Sequence, residues 1–184
     1  MNGDAKKIAF IACVNDEEMY EESVRYLRHL EVPQGFSVEL VPVYGASSMT
    51  AGYEAARRAT TARFKVYMHQ DILLTEKRLI PRMLEIFRLR PEVGLIGFAG
   101  CRHIPDSGVW WDSKECYGSV WHVREPESME LVSRLAVPDE GIEVAALDGI
   151  FLATRTDVPW REDIFTGWHF YDISASMEYR RRGM

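Results

Sequence analysis

The sequence predicts a single α/β domain whose central sheet is mostly parallel and flanked by helices. Three observations lead to this prediction. Buried strands alternate with amphipathic helices in the first half of the chain, the length of 184 residues suits one domain, and 47% of the residues are apolar. Parallel strands need crossover connections, which are usually helices, so the alternation itself favours a parallel sheet.

The first half of the chain supplies four strands with a helix after each of the first three. Each strand is a short apolar run bounded by turn residues, whereas each helix repeats its apolar residues at three- and four-residue spacings. In the first helix, for example, Tyr20, Val24 and Leu27 share one face. The predicted strands are residues 8–14, 36–43, 65–71 and 93–99.

Residues 101–141 depart from this alternation and form a long insertion that contains several aromatic residues, including Trp110, Trp111 and Trp121. A weak helical pattern covers residues 127–135. A connection of this length inside a compact domain is usually functional or mobile. The insertion could therefore cover or select a ligand, or it could form a packed aromatic lid.

The last part of the chain resumes the α/β pattern. Residues 143–154 read as a strand that Asp148-Gly149 interrupts, and a short helix is predicted from Asp172 to about Arg182. Three arginines in the last turn and Gly183 after them are typical of a helix C-terminus. No strand follows this helix.

Charge, cysteine content and hydropathy limit the class of protein. A net charge of −6 argues against a nucleic-acid groove, which needs a basic surface. The three cysteines are scattered without a paired spacing, which favours reduced thiols and a cytoplasmic location. No signal peptide opens the chain, and no run approaches the roughly 18 apolar residues of a transmembrane helix. We therefore expect a cytoplasmic protein without a transmembrane segment.

The first candidate site is the polar sequence His69-Gln70-Asp71 at the end of the third predicted strand. Open α/β sheets bind ligands at the carboxyl ends of their strands. Asp71 could hold a divalent cation that takes its other oxygen ligands from a diphosphate and water. His69, two residues earlier, would point to the same side of an extended strand. The residues are equally compatible with a simple polar strand end.

The second candidate site is the segment from Trp160 to Asp172, where carboxylates and a histidine lie among aromatic residues. Such a mixture suits a site that stacks a sugar or base and moves a proton. Glu162 and Asp163 could instead form a solvated turn. Asp172 could be the N-cap of the last helix, and this role is compatible with that of a base because a helix N-terminus keeps a carboxylate ionised.

Three further polar residues follow the first two strands. Asn15 and Asp16 follow the first strand and should lie at the same sheet edge as Asp71, where they could contact a nucleotide base or ribose. Asp16 and Ser48 could equally be caps of the helices that they precede. The chain contains neither G-x-G-x-x-G nor G-x-x-x-x-G-K-[ST], so a dinucleotide fold or P-loop is not supported.

Together these segments resemble a known family. The segments CVND, SSMTAGYEAARRA, KVYMHQD, ALDGIFLATR and WREDIFTGWHFYDISASMEYRRRG, in this order, are similar to family 2 glycosyltransferases with the GT-A fold. They resemble in particular the glycosyltransferase-like branch that includes the streptomycin-biosynthesis-type domains. The resemblance covers nearly the whole chain, and its last segment is the most specific. It implies a GT-A-like domain that lacks the family's usual C-terminal strand or strands.

The resemblance also implies a donor and a metal ion. The donor would be a nucleotide sugar, linked to UDP or GDP, with Mn²⁺ or Mg²⁺ on its diphosphate. Asp71 takes the place of the second carboxylate of the family's acidic metal motif, and His69 replaces the first. Asn15 and Asp16 match the loop that holds the nucleotide, and Ser48 is expected to contribute there.

The same resemblance assigns the transfer chemistry. Asp172 would be the base that deprotonates an unknown acceptor hydroxyl, and Tyr171 replaces the glutamate that precedes it in the family. Asp148, Trp168 and His169 would lie on the acceptor side. One base without a covalent intermediate implies inversion at the anomeric carbon. The alternative is a catalytically inactive GT-A-like module that binds a nucleotide or sugar.

Overall fold

The structure, a computed structural model, describes residues 4–125 and 128–184. The strands are β1 Asp4–Val14, β2 Ser37–Tyr44, β3 Ala62–Met68, β4 Leu95–Gly97, β5 Ala99–Cys101, β6 Cys116–Glu125, β7 Ser128–Ser133, β8 Ala146–Leu147 and β9 Phe151–Thr154. The helices are α1 Glu17–Leu27, α2 Met49–Ala59, α3 Leu79–Leu89 and α4 Tyr171–Arg180, with a short 3-10 helix at Trp110–Asp112.

Five strands form the central sheet in the order β2-β1-β3-β9-β4. β1 pairs in parallel with β2 and β3, whereas β9 is antiparallel to both β3 and β4. Four strands therefore run in one direction and β9 runs in the other. This confirms the predicted α/β domain with a mostly parallel sheet, and it is consistent with a GT-A-like fold.

Helices cover both faces of the central sheet because side chains along each strand alternate between two apolar layers. Ile8 and Phe10 of β1 face the layer formed with α1 and α3, while Ala9 and Ile11 face the layer formed with α2 and α4. α1 contributes the face predicted from its spacing: Tyr20, Val24 and Leu27 are all buried.

The insertion at residues 101–141 contains a β-hairpin. β6 and β7 form a hairpin in a second sheet of order β7-β6-β5-β8, which packs its Ala99, Cys101 and Ala146 against Ile173 of α4. The helical pattern predicted near residues 127–135 is therefore wrong from Ser128 to Ser133. Residue 127 itself lies outside the described residues. In β7 the apolar residues Met129 and Leu131 alternate, and they pair with β6 across the hairpin.

Two predicted strands are divided in the structure. Residues 93–99 split into β4 and β5, which belong to different sheets, and residues 143–154 split into β8 and β9 around Asp148-Gly149. Gly100 allows the close approach of β5 to β8, because a Cβ there would lie 2.3 Å from the Ala146 carbonyl oxygen.

The strand predicted at residues 65–71 ends earlier than expected, at Met68. Gln70 and Asp71 lie in a turn. The expectation that His69 and Asp71 point to the same side of an extended strand is therefore wrong, because the period-two rule applies only while the backbone stays extended.

All three cysteines have free thiols. Within residues 4–125 and 128–184, no helix is long and apolar enough to cross a membrane.

Candidate functional site

The predicted site residues converge on one edge of the central sheet. The parallel strands β1 and β3 end there, and the antiparallel β9 begins there. Met68 at the end of β3 lies opposite Phe151 at the start of β9, and the His69 backbone N–H donates to the Ile150 carbonyl at 3.2 Å. The loop before β9, which carries Asp148, is thus next to the loop after β3.

Gln70 joins the ends of β1 and β3. Its side-chain oxygen accepts hydrogen bonds from the backbone N–H groups of Asn15 at 2.8 Å and Asp16 at 3.1 Å, while its amide nitrogen donates to the Asn15 side chain. This role of Gln70 is not predicted from the sequence. The one feature of the sequence that could have indicated it is the position of Gln70 in the middle of a polar triplet after a buried strand.

The three residues predicted to contact the nucleotide, Asn15, Asp16 and Ser48, differ in their exposure and in their hydrogen-bond partners. Asp16 caps α1 by accepting from the Met19 N–H at 3.1 Å, as the alternative interpretation of the sequence held. Ser48 caps α2, and its hydroxyl is buried against Ala51 N and the Thr50 hydroxyl. Capping is therefore the role that the geometry shows for Ser48, and its contact with a nucleotide stays a prediction. Asn15 is exposed.

His69 contacts the start of α4. Its Nε2 atom lies 2.6 Å from the hydroxyl of Tyr171, whose ring is buried. Burial, followed by the charges of Asp172 and Asp148, raises the pKa of the Tyr171 hydroxyl, so that it stays protonated at neutral pH. This contact connects the end of β3 to α4.

Gly149 makes room for this contact. A Cβ on Gly149 would lie only 2.0 Å from the Tyr171 hydroxyl oxygen. The Gly149 backbone N–H also donates to the Asp172 carboxylate at 3.0 Å. One glycine therefore lets Tyr171 reach His69 and helps to orient Asp172.

Asp172 lies in the first turn of α4 rather than at its cap. Phe170 is the N-cap, so the N-cap interpretation of Asp172 is wrong. One carboxylate oxygen accepts from Gly149 N and the other from Ile173 N at 2.9 Å. Burial raises the pKa of Asp172 above its ordinary value of 3.8, the charge of Asp148 adds to this effect, and the backbone hydrogen bonds oppose it. The result is a fixed, partly buried carboxylate that is more basic than an ordinary aspartate.

Asp148 is half-buried beside this pair. Its carboxylate accepts from the Ile150 N–H at 2.8 Å, which shapes the turn into β9. Its charge opposes ionisation of Asp172 and so adds to the rise in the pKa of that carboxyl group.

The aromatic segment before α4 is attached to α2. The Met49 N–H donates to the Gly167 carbonyl at 3.1 Å, and the Thr50 hydroxyl donates to the Phe165 carbonyl. The segment leaves Trp168 and His169 exposed next to α4.

Glu162 and Asp163 of the same segment are not part of the convergent group. Glu162 pairs with Arg58 at 3.1 Å and Asp163 pairs with Arg161 at 2.8 Å, and both carboxylates are exposed. They form the solvated turn that the sequence left open as an alternative.

Of the two predicted metal ligands, Asp71 and His69, only Asp71 is suited to bind a divalent cation. Among the described residues, no three His, Cys, Asp or Glu side chains are grouped so that they could hold a metal ion. Asp71 is exposed and has no hydrogen-bond or ion-pair partner within the described parts of the chain, so it suits a cation that takes its other ligands from a diphosphate and water. The Nε2 atom of His69, in contrast, is occupied by Tyr171.

The family model described as "Glycosyltransferase like family" matches residues 9–184. No curated protein matches the chain.

Proposed function

The chain belongs to the glycosyltransferase-like family, and from this premise we propose that it transfers a sugar from a nucleotide-diphosphate sugar to an acceptor hydroxyl. One observation carries the proposal: three hydrogen bonds lie at one sheet edge, between His69 and Tyr171, between Gly149 N and Asp172, and between Gln70 and Asn15. A fixed base, near a loop that carries the exposed carboxylate of Asp71, suits in-line displacement at an anomeric carbon. The narrower resemblance to streptomycin-biosynthesis-type domains stays a prediction.

Asp172 would act as the general base. A base works best when its pKa approaches the working pH, and burial moves Asp172 in that direction. Each of its oxygens accepts one backbone hydrogen bond and retains a lone pair for the acceptor hydroxyl. With one base and no nucleophile assigned, the expected outcome is inversion at the anomeric carbon.

The donor side would be formed by Asn15, Asp16 and Asp71. Asn15 and Asp16 would contact the nucleoside, and Gln70 would hold their loop in place. Asp71 would hold Mn²⁺ or Mg²⁺ together with the diphosphate. When bound, such a cation offsets the negative charge that develops on the departing diphosphate. His69 would position Tyr171, and its role as a metal ligand stays a prediction.

The donor site can be tested by calorimetric titration of the chain with UDP and with GDP, each with and without Mn²⁺. We expect one nucleotide to bind, and we expect Asp71→Asn to remove most of the gain in affinity that Mn²⁺ provides. Asp139→Asn, on an exposed loop, is the matched control and should bind as the wild type does. Absence of binding at millimolar nucleotide, with or without Mn²⁺, would sink the proposal.

Release of the nucleotide from UDP- and GDP-sugars then separates an enzyme from an inactive binding module. Asp172→Asn should lower the transfer rate about 10²- to 10⁴-fold, because general-base catalysis contributes that much, and should leave nucleotide affinity nearly intact. Equal loss of both properties would refute the assignment of the base. Nucleotide binding without turnover in the wild type would favour the inactive module.

A further inference from the structure

Phe170 has an unusual backbone conformation at the start of α4. Its φ of 61° and ψ of 3° place it in the left-handed region, and it is the one non-glycine residue with positive φ among the described residues. This conformation is costly for a residue with a large side chain, because its Cβ approaches the following carbonyl. The residues that directly follow Phe170 are Tyr171 and Asp172.

Phe170 also takes a position where a polar residue would stabilise the helix. As the N-cap it accepts the first helical hydrogen bond, from Ser174 N at 3.0 Å, but its own side chain caps none of the free N–H groups. Of these groups, the Ile173 N–H is bound by the Asp172 carboxylate instead. Ser, Asp or Asn would supply a cap, and Asn or Gly would adopt positive φ at lower cost. A phenylalanine at this position is therefore unfavourable in two ways: it has a positive φ, and it provides no polar N-cap.

Burial does not account for the ring. Phe170 is 44% exposed, although its ring edge approaches Gly108 of the insertion, where an added Cβ would lie 3.6 Å from Cε1. Trp168, two residues earlier, is 48% exposed. By contrast, Tyr171 points into the core. The ring of Tyr171 is thus buried, whereas the rings of Phe170 and Trp168 are exposed. All three residues are close in sequence to the candidate base, Asp172.

We infer that the acceptor is a sugar, and that the exposed rings of Phe170 and Trp168 receive the apolar face of its pyranose ring. This inference rests on the proposed function, because it assigns the acceptor of that same site. A pyranose presents C–H groups on its faces and hydroxyls at its rim. Aromatic rings can therefore cover a face while the rim hydroxyls stay hydrogen-bonded, with one of them directed towards Asp172.

The binding test uses a panel of methyl pyranosides titrated into the nucleotide-free chain, with tryptophan fluorescence as the readout. Glucitol serves as the acyclic control, because it carries hydroxyls but has no ring face. We expect at least one pyranoside to saturate at millimolar concentration, and glucitol not to. Phe170→Gly and Trp168→Ala should each weaken binding about tenfold, which corresponds to the loss of one aromatic contact.

Two controls separate recognition from folding. Trp121→Ala removes an exposed tryptophan on β6 and should leave pyranoside affinity unchanged. Phe170→Gly and Phe170→Asn both tolerate positive φ, so their thermal unfolding midpoints should equal or exceed that of the wild type. The inference is overturned if no pyranoside binds the wild type, if both Phe170 variants bind as tightly as the wild type, or if both unfold at clearly lower temperature.

This test is independent of the proposed function, because it contains no nucleotide. A chain that binds pyranosides but no UDP or GDP would refute the proposed function and keep the sugar site. A chain that turns over a nucleotide sugar but binds no pyranoside would keep the transferase and exclude this acceptor class.

Discussion

Asp172 binds a proton more readily in the folded chain than an ordinary aspartate does, because burial raises its pKa above 3.8. In the pH window just above that value, the folded state therefore holds more protons than the unfolded state. Stability must fall as the pH rises through this window, and the ionised carboxylate costs stability at neutral pH. A residue proposed to be the base thus carries a cost in folding, as active-site carboxylates often do.

We expect Asp172→Asn to remove this contribution, so that stability falls less than in the wild type as the pH rises from the ordinary aspartate pKa of 3.8. The measurement is the free energy of unfolding from urea titrations as a function of pH. Asp163→Asn is the control, because the hydrogen bond from Arg161 lowers the pKa of Asp163 and gives it a pH dependence of the opposite sign. If the free energy of unfolding has the same pH dependence in the wild type and in Asp172→Asn, the raised pKa of Asp172 is contradicted.

The sequence was sufficient to group the site residues but not to connect them. Asn15 and Asp71 follow strands of a parallel sheet, so their common edge could be expected, whereas Asp172 was added by the resemblance to the glycosyltransferases. The contact between His69 and Tyr171 could not be predicted, because it depends on a turn that begins at the end of β3 and on a glycine at residue 149. The pattern of residues along the sequence does not show that these two side chains come into contact.

Among the elements, α2 depends on a buried carboxylate. The Glu54 side chain is 1% exposed and accepts from Arg57 Nε at 2.8 Å and from the Trp160 backbone N–H at 3.0 Å, with Arg58 alongside. Burial alone would raise its pKa, but these donors outweigh burial and the net pKa is lowered. Glu54 thus attaches α2 to the segment that leads into the candidate site.

We expect Glu54→Gln to destabilise the chain by about 3 kcal/mol, because it leaves Arg57 with a weaker partner and removes a buried ion pair. The contribution of Glu54 should be present above the ordinary glutamate pKa and be lost as the pH falls through its lowered value. Urea unfolding at neutral and acidic pH measures both effects. Glu85→Gln, which weakens an exposed pair with Arg88, should change stability by less than about 0.5 kcal/mol. Equal effects would contradict the assignment.

The helices were easier to predict than the second sheet. In α1, three residues at helical spacing are enough to define the buried face, and all three are buried. β7 is different, because only its two-residue alternation of Met129 and Leu131 indicates a strand, and both side chains are exposed. With no buried face, its pattern could be mistaken for a weak helix.

At the scale of the whole molecule, the cysteines report on global unfolding. Burial raises the pKa of Cys13 to about 12 and that of Cys101 to about 11, so the reactive thiolate is scarce at neutral pH. Cys116 is 4% exposed, and its thiol donates to the carbonyls of Trp110 and Ser113.

We expect a thiol reagent such as dithionitrobenzoate to label the native chain slowly and to label all three cysteines rapidly in denaturant. Reaction rates followed by absorbance, with free cysteine as the fast control, measure the difference. The labelling rate should rise with urea in parallel with unfolding measured by circular dichroism. Rapid labelling of Cys13 or Cys101 without denaturant would contradict the raised pKa values.

The place of β9 in the sheet has a consequence for how the chain reaches this structure. β4 precedes β9 in the sequence, yet β9 lies between β3 and β4. The sheet therefore cannot grow strand by strand as the chain is made: β3 and β4 have to stay apart until β9 enters. The contact of His69 with Tyr171, 102 residues apart, must close over the same long loop. Completion of the sheet and assembly of the candidate site at its edge should thus be one late folding event. Chains that stop before this event would have neither.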